Sequence, residues 1–486
     1  MRILDVLNAP HLRFLAEDQM SLFPSMGTMQ PVRAPAPAPV ARPPARPARP
    51  KSVYDPGLYL PGSLGQHVGE NALTVNDILH PDTPGIRHTR ANNNRVIAHK
   101  LNMRARAALS NLGVPNGIIE QPSPKTDEII SRAIASEVKT ALSRDERSGV
   151  NWYTKDFQQA LSIAATLHPE IAQDENARMI FTAALAVTSN GEKVIRNAQL
   201  ADKVYTQFKA TGQFPTNIED SPQKKSMNYC FVRLNELIAR YGIPGTREFL
   251  GSKFTKKELA DMGYQINGEN KDAELHGSAI LGPKIGQGFY QNLNGNYNPV
   301  TMDMWFMRAW GRLTGTLVGK LQPKVLAQQK NNFIDVLQQA GIKVPKNDKA
   351  LAALADKIFS QHEHDFAKYR NEYNVGVRTK EAVVYRADRY LQGLAGINQS
   401  PTSGSHRAWM RQRVDRAREI LAQEGINITN ADLQATWWYP EKKLYEKLGG
   451  RDSEGVNVDY ATAFKLLAQR QGVDDGTIKN TLGAVE

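Results

Sequence analysis

The chain is poor in the residues that build redox and metal centres, with one cysteine, Cys230, among 486 residues. A single thiol excludes an internal disulfide, a cysteine-ligated zinc site and an iron–sulfur cluster. Cys230 lies between Tyr229 and Phe231 on an apolar helical face, so a buried packing role is expected for it. A chain without disulfides suits a reducing compartment, and a cytoplasmic or virion-associated location is expected. Long apolar runs are missing as well. Nothing approaches the roughly 18 residues of a membrane-spanning helix, and the opening MRILDVLNAPHLRFLAEDQ breaks any secretory leader with acids and a proline. Strand-like alternation is scarce and the phosphate loop GxxxxGKS/T is absent, which argues against nucleotide-binding α/β folds. No cofactor and no metal are expected. The tempting QHEHDFAKYR puts His362, Glu363, His364 and Asp365 at adjacent helical positions, which point in different directions.

What is present is enough to bury a core, since 41% of residues are hydrophobic and 23% charged. Lys and Arg number 61 against 49 Asp and Glu, a net +12 that favours a polyanionic partner, double-stranded DNA above all. Residues 31–50, PVRAPAPAPVARPPARPARP, hold eight prolines and four arginines and read as an extended tether. Ahead of it, Leu4, Val6, Leu7, Leu12, Phe14 and Leu15 form a short apolar peptide suited to docking on a protein partner. The expected organisation is therefore a docking peptide plus linker over 1–53 and an irregular region over 54–123 in which only ANNNRVIAHKLNMRARAALSNLG looks helical. A main helical domain over 124–345 and a C-terminal helical region over 346–486 follow.

From Pro124 onward apolar residues recur at three- and four-residue spacing, so the fold class is mainly α. Helix punctuation is legible: Thr126 as a cap, Asp174 or Asn176 opening NARMIFTAALAVTS, Gly191 as a separator, Ser221-Pro222 opening a helix that ends at Gly242, and Gly341 as a stop. Farther on, SHRAWMRQRVDRAREILAQEG reads as a basic helix and NADLQATWWYPEKKLYEKLGG as an aromatic one. Their arginines and tryptophans suit either single-strand gripping or a charged face over a Trp-filled core.

The most informative stretch is HGSAILGPKIGQGFYQNLNGNYNPVTMDMWFMRAWGRLTG, from His276 to Gly315. A Gly282-Pro283 turn leads into a helix carrying Lys284, then an Asn/Gly-rich loop, then Asp303 at the mouth of a helix with Arg308 and Arg312 on one face. Backbone N–H groups at such a hairpin can hold a phosphate without reading a base. A lysine beside them and a carboxylate at the next helix entrance could act as nucleophile and acid/base partner.

These residues resemble the helix-hairpin-helix DNA glycosylases, with Gly282, Lys284, Gly286, Pro299, Val300, Asp303, Arg308, Arg312, Leu313 and Gly315 as the matching positions. Lys284 precedes Asp303 by 19 residues, the spacing of members similar to 8-oxoguanine DNA glycosylase. The resemblance implies a helical bundle and a DNA glycosylase with AP-lyase activity. Lys284 would attack C1′ of a flipped nucleotide and Asp303 would assist departure of the base. Asn190, Gly282, Gly286, Arg308 and Arg312 would contact DNA. The alternative is a non-catalytic DNA-binding or virion-associated phage protein that uses the hairpin as a phosphate clip.

Overall fold

The computed structural model describes residues 93–142, 149–219, 221, 223–270, 272–319, 321, 323–377, 380–394, 396–447 and 458–483. The tether and docking peptide expected at the N-terminus lie outside the described residues. Within them the protein is mainly α, as its spacing predicts. Two antiparallel strand pairs complete the picture: β1 (Lys253–Thr255) with β2 (Glu274–His276), and β3 (Val318–Gly319) with β4 (Gly396–Ile397).

Punctuation sets the helix bounds. Helix α1 spans Asn93–Asn111 and α2 spans Pro124–Leu142. The start of α2 falls ahead of the expected Thr126: Ser123 Oγ accepts the Thr126 N–H, and Pro124 occupies the first turn, where its missing N–H costs nothing. A π-helical stretch, Trp152–Asp156, runs into α3 (Phe157–Leu167). Asp174 caps α4 (Glu175–Thr188) by accepting from the Asn176 N–H, and Gly191, at φ 75, separates α4 from α5 (Val194–Thr211). Helix α6 covers Lys224–Gly251 but is broken where expected, at Gly242 with φ 68 and ψ 175, after which Pro244 restarts it. Helix α7 is a π-helical stretch, Ile285–Tyr290, continued by Gln291–Leu293, and α8 spans Met304–Thr314.

Next come α9 (Pro323–Gln339), α10 (Asp348–His362), α11 (Phe366–Asn374) and α12 (Lys380–Leu394). Helices α13 (Gly404–Gln423), α14 (Asn430–Lys447), α15 (Tyr460–Arg470) and α16 (Asp475–Gly483) complete the order.

Burial of apolar side chains, the dominant driving force, divides these elements among three cores. One joins α3, α4, α5, α6, α7 and α15 around residues such as Phe157, Phe181, Leu185, Phe231 and Phe464. A second joins α1, α2, α8, α13 and α14 around Leu109, Ile134, Phe306, Trp310 and Trp437. A small third one, with Phe333, Leu337, Leu351 and Tyr390, holds α9, α10 and α12 together, so a boundary at 345/346 would cut through it. Helix α1 contributes Ile97 and Leu101 to the first core and Ala105 and Leu109 to the second, so packed structure begins ahead of Pro124.

Two elements straddle the first and second cores. On α8, Trp305 packs into the first and Phe306 into the second; on α14, Trp437 packs into the second and Trp438 and Tyr439 into the first. Neighbouring positions on a helix point about 100° apart, so a helix lying in a seam serves both sides.

Candidate functional site

The hairpin forms as its glycines require. Gly277–Leu281 makes a 3-10 turn, Gly282 takes φ 100, and the chain re-enters helix at Lys284. A side chain at Gly282 would meet open space, so it is the left-handed backbone that calls for glycine there. Gly286 is different. A Cβ on it would lie 1.7 Å from the Ser278 carbonyl oxygen, and the Ser278 hydroxyl donates to the Gly286 carbonyl at 2.9 Å. Gly286 lets the two arms of the hairpin touch, and it is buried, which corrects its expected contact with DNA. Gly282 and Lys284 remain partly exposed. The N–H groups of Lys284 and Ile285 donate to no carbonyl among the described residues, as expected for the first turn of a helix.

The loop after α7 is pinned by side-chain amides. Asn292 donates to the carbonyls of Asn296 and Pro299, both at 2.9 Å, and its own oxygen accepts from the Thr301 hydroxyl at 2.9 Å. Helix α14 closes from the other side: Gln434 accepts the Thr301 N–H at 2.9 Å, and Asn430 donates to the Asn298 carbonyl at 2.9 Å. The same helix caps the first π-helical stretch, because the Asp432 carboxylate accepts the Tyr153 N–H at 2.9 Å and the Thr154 hydroxyl at 2.8 Å. Held this way, Asp303 arrives at the N-terminus of α8 and accepts the Phe306 N–H at 2.8 Å.

Asp303 is partly exposed. The Tyr153 hydroxyl lies beside Thr301 and Asp303, and burial together with that carboxylate pushes its pKa well above the usual phenol range. Lys442 of α14 is near enough to Asp303 for the two charges to interact. Its ammonium is 4.3 Å from the centre of the Trp438 ring, 5.3 Å from Tyr439 and 6.0 Å from Trp305. Burial among these rings lowers its pKa to about 8, against a smaller opposing pull from Asp303. Trp152 and Phe289, one from each π-helical stretch, approach to 6.5 Å behind Tyr153. Such π insertions are frequent at functional sites, and here two of them meet. On the far side of Tyr439, burial with Asp459 and Asp432 nearby raises Asp156 to about 6.

The two arginines expected to face DNA do not. Arg308 is 1% exposed and sandwiched between the Trp305 and Tyr445 rings at 4.5 and 4.6 Å. Arg312, also 1% exposed, donates two parallel bonds of 2.8 Å to Glu137 and a third of 2.7 Å to Glu441. Arg308 turns toward rings of the first core and Arg312 toward two buried acids, so neither is placed to reach a phosphate. Asn190, in contrast, sits at the α4–α5 turn with its amide on the Ser226 hydroxyl at 3.1 Å, near the surface.

Lys284 and Asp303 form no ion pair or hydrogen bond with one another, and the cation that Asp303 faces is Lys442. Lysine in an aromatic segment carries no motif, so sequence reasoning passed over Lys442. The signal that could have found it is the run Trp437-Trp438-Tyr439 ending one helical turn before a lysine, which places that lysine over the rings.

One expectation about the remaining residues is met. Cys230 is buried in the first core, with its thiol pushed up to about 12. On the basic helix α13, Arg407 and Arg411 pair with Glu269, Arg413 with Asp127 and Arg416 with Glu128, so these charges are largely balanced within the molecule. Among the described residues no group of three or more His, Cys, Asp or Glu side chains could hold a metal ion, and no helix is long and apolar enough to cross a membrane. No protein-family model, no curated protein and no solved structure matches this chain.

Proposed function

We propose that the chain is a DNA glycosylase that excises a modified or damaged base, with AP-lyase activity, at the seam where α8 and α14 join its two larger helical cores. The observation that carries the reading is the placement of Asp303. A carboxylate fixed at a helix entrance, near a lysine held over aromatic rings, follows in sequence a hairpin with free backbone donors. A seam between packed units is where ligand sites tend to form, and aromatic rings suit a base taken out of its stack.

In this reading the Lys284 and Ile285 N–H groups hold a phosphate next to the flipped nucleotide. Asn190 touches the duplex from the α4–α5 turn. Asp303 stabilises the positive charge that develops on the sugar as the base leaves. The resemblance to helix-hairpin-helix glycosylases assigns the attacking amine to Lys284. The net charge of +12 favours the encounter with DNA.

The test is a panel of duplexes with single lesions, scored for base release and strand nicking, against Asp303→Asn. Asparagine keeps the helix cap but loses the negative charge. Excision of one lesion by the native chain, reduced at least 100-fold in the variant, is the expected result. Salt-sensitive binding without release from any duplex would instead favour the non-catalytic phosphate clip.

A further inference from the structure

On α13 the arginines pair with acids, and on α14 the tryptophans are buried, so neither helix presents rings beside free cations to solvent. Helix α6 does. Along its outer side Lys225, Tyr229, Glu236 and Arg240 are exposed and Arg233 partly so, at the three- and four-residue spacing that keeps side chains on one face. Tyr229 and, at the end of the face, Tyr241 are each 37% exposed. The Arg233 guanidinium lies 5.2 Å from the Tyr229 ring centre and 5.3 Å from that of Tyr264, and the Arg240 guanidinium lies 5.0 Å from the Tyr241 ring centre. Tyr241 stacks on Phe249 at 5.9 Å, and Phe249 meets Tyr264 at 5.7 Å, so buried rings join the two halves of the face. Its positive charges are weakly opposed. Glu236 stands 3.9 Å from Arg233, while Arg240 and Lys225 form no ion pair among the described residues.

On these grounds we propose that the outer face of α6 binds single-stranded nucleic acid, with phosphates on Lys225, Arg233 and Arg240 and bases stacked on Tyr229 and Tyr241. A duplex hides its base faces inside the stack and leaves exposed rings nothing to meet, whereas a single strand offers base faces and phosphates together. The sign of the charge selects a polyanion, and the rings select one that carries flat bases. A guanidinium lying over a ring keeps in-plane N–H groups for a phosphate. Tyr229 and Tyr241 are twelve residues apart, about 18 Å along the helix, which matches about five stacked nucleotides. The face begins beside the α4–α5 turn, because Asn190 donates to Ser226, next to Lys225, at 3.1 Å. The opposite side of α6 is anchored to the hairpin, where the Cys230 thiol meets the Leu281 carbonyl at 3.6 Å. This surface goes beyond the excision reading and needs neither Lys284 nor Asp303.

The experiment uses the full chain and an oligothymidylate of about 12 nucleotides with one internal 5-iodouracil, irradiated and digested so that mass spectrometry locates the crosslinked residue. Tyr229 or Tyr241 is expected to carry the nucleotide. Because the mapping is done on the native chain, it stands even if a variant fails to fold. Fluorescence anisotropy at fixed salt supplies the affinities. Replacing both tyrosines, Tyr229→Ala with Tyr241→Ala, should weaken binding at least about 20-fold, whereas the paired Phe replacements keep the rings and should stay within about threefold of native. Arg240→Gln should flatten the dependence of log affinity on log salt by about 0.7. Asp303→Asn should bind the strand as the native chain does, so loss of excision alone leaves this surface standing. Crosslinks confined to other residues, absence of binding, or a double Ala variant that binds like the native chain would overturn the proposal. So would equal binding of a duplex of the same length, or displacement of the strand by polyglutamate of matched charge, either of which reduces the face to a general basic patch.

Discussion

Glu441 and Lys442 are consecutive residues of α14, yet they belong to two buried electrostatic environments of opposite design. Glu441, 0% exposed, completes a cluster in which Arg312 is bound by two carboxylates, while the Trp437 indole donates to Glu137 at 2.8 Å. Around Lys442 almost nothing is satisfied: an ammonium over ring faces, a carboxylate near but not touching, and an indole N–H without an acceptor. The first arrangement locks α2, α8 and α14 together. The second costs stability, because a charge is desolvated without an ion partner in contact. Burial alone does not distinguish the two: the charges of the first are paired with one another, whereas the ammonium of the second meets ring faces.

The contrast is most sharply broken at Arg312. Arg312→Ala strands two buried carboxylates, and about 3–5 kcal/mol of stability should be lost, read as a drop in the denaturant midpoint. If the change costs less than about 1 kcal/mol, the cluster is not the lock described here.

Lys442→Met should act in the opposite direction. Burial lowers the folded-state pKa from the ordinary 10.5 to about 8, so the folded protein binds the proton less well than the unfolded chain. The penalty is fully present below about pH 8 and fades as pH rises toward 10.5. By linkage it amounts to at most about 3 kcal/mol at neutral pH. The variant should therefore be more stable than the native protein at pH 7, with the gap closing between pH 8 and 10.5. A variant less stable at every pH would show the lysine to be an ordinary packing element.

At Asp303 the expected effect is smaller. Asp303→Ala should cost about 1 kcal/mol through loss of the helix cap, whereas Asp303→Asn should cost almost none. Thermal melts of the pair check this, and equal losses would mean that the charge, not the cap, stabilises the fold.

The smallest change is expected for Trp438→Phe, which removes the N–H that has no acceptor. Stability should move by less than about 1 kcal/mol in either direction, since relief of a buried orphan donor offsets lost packing. DNA affinity at fixed salt should nevertheless fall if the donor meets a ligand.

Much of the framework was legible in the sequence because it depends on local signals. Asp174, Gly191, Gly242 and Gly341 act where their chemistry says they should, and the mainly α character follows from apolar spacing. The inward turn of Arg308 and Arg312 was not legible. Their partners are Glu137 and Glu441 for one, and Trp305 and Tyr445 for the other; most are distant in sequence, and an i, i+4 pair of arginines looks the same whether it faces solvent or two acids. Of the candidate site, Asp303 could be read because a helix-opening aspartate after a Pro-Val loop has a local signature. Lys442 was legible only as far as its own helix, where Trp438 and Tyr439 stand one turn before it; Trp305 and Asp303 reach it through the packing of α14.

The strand pair β3–β4 has a bearing on how the chain could change over generations. Val318 pairs with Ile397 and Gly319 with Gly396, so the polypeptide leaves the main body and returns to it at one place. Everything between is a bundle that carries its own core. A segment with adjoining ends can be lengthened, shortened or exchanged without re-threading its host. The bundle of α9 to α12 is thus a cassette.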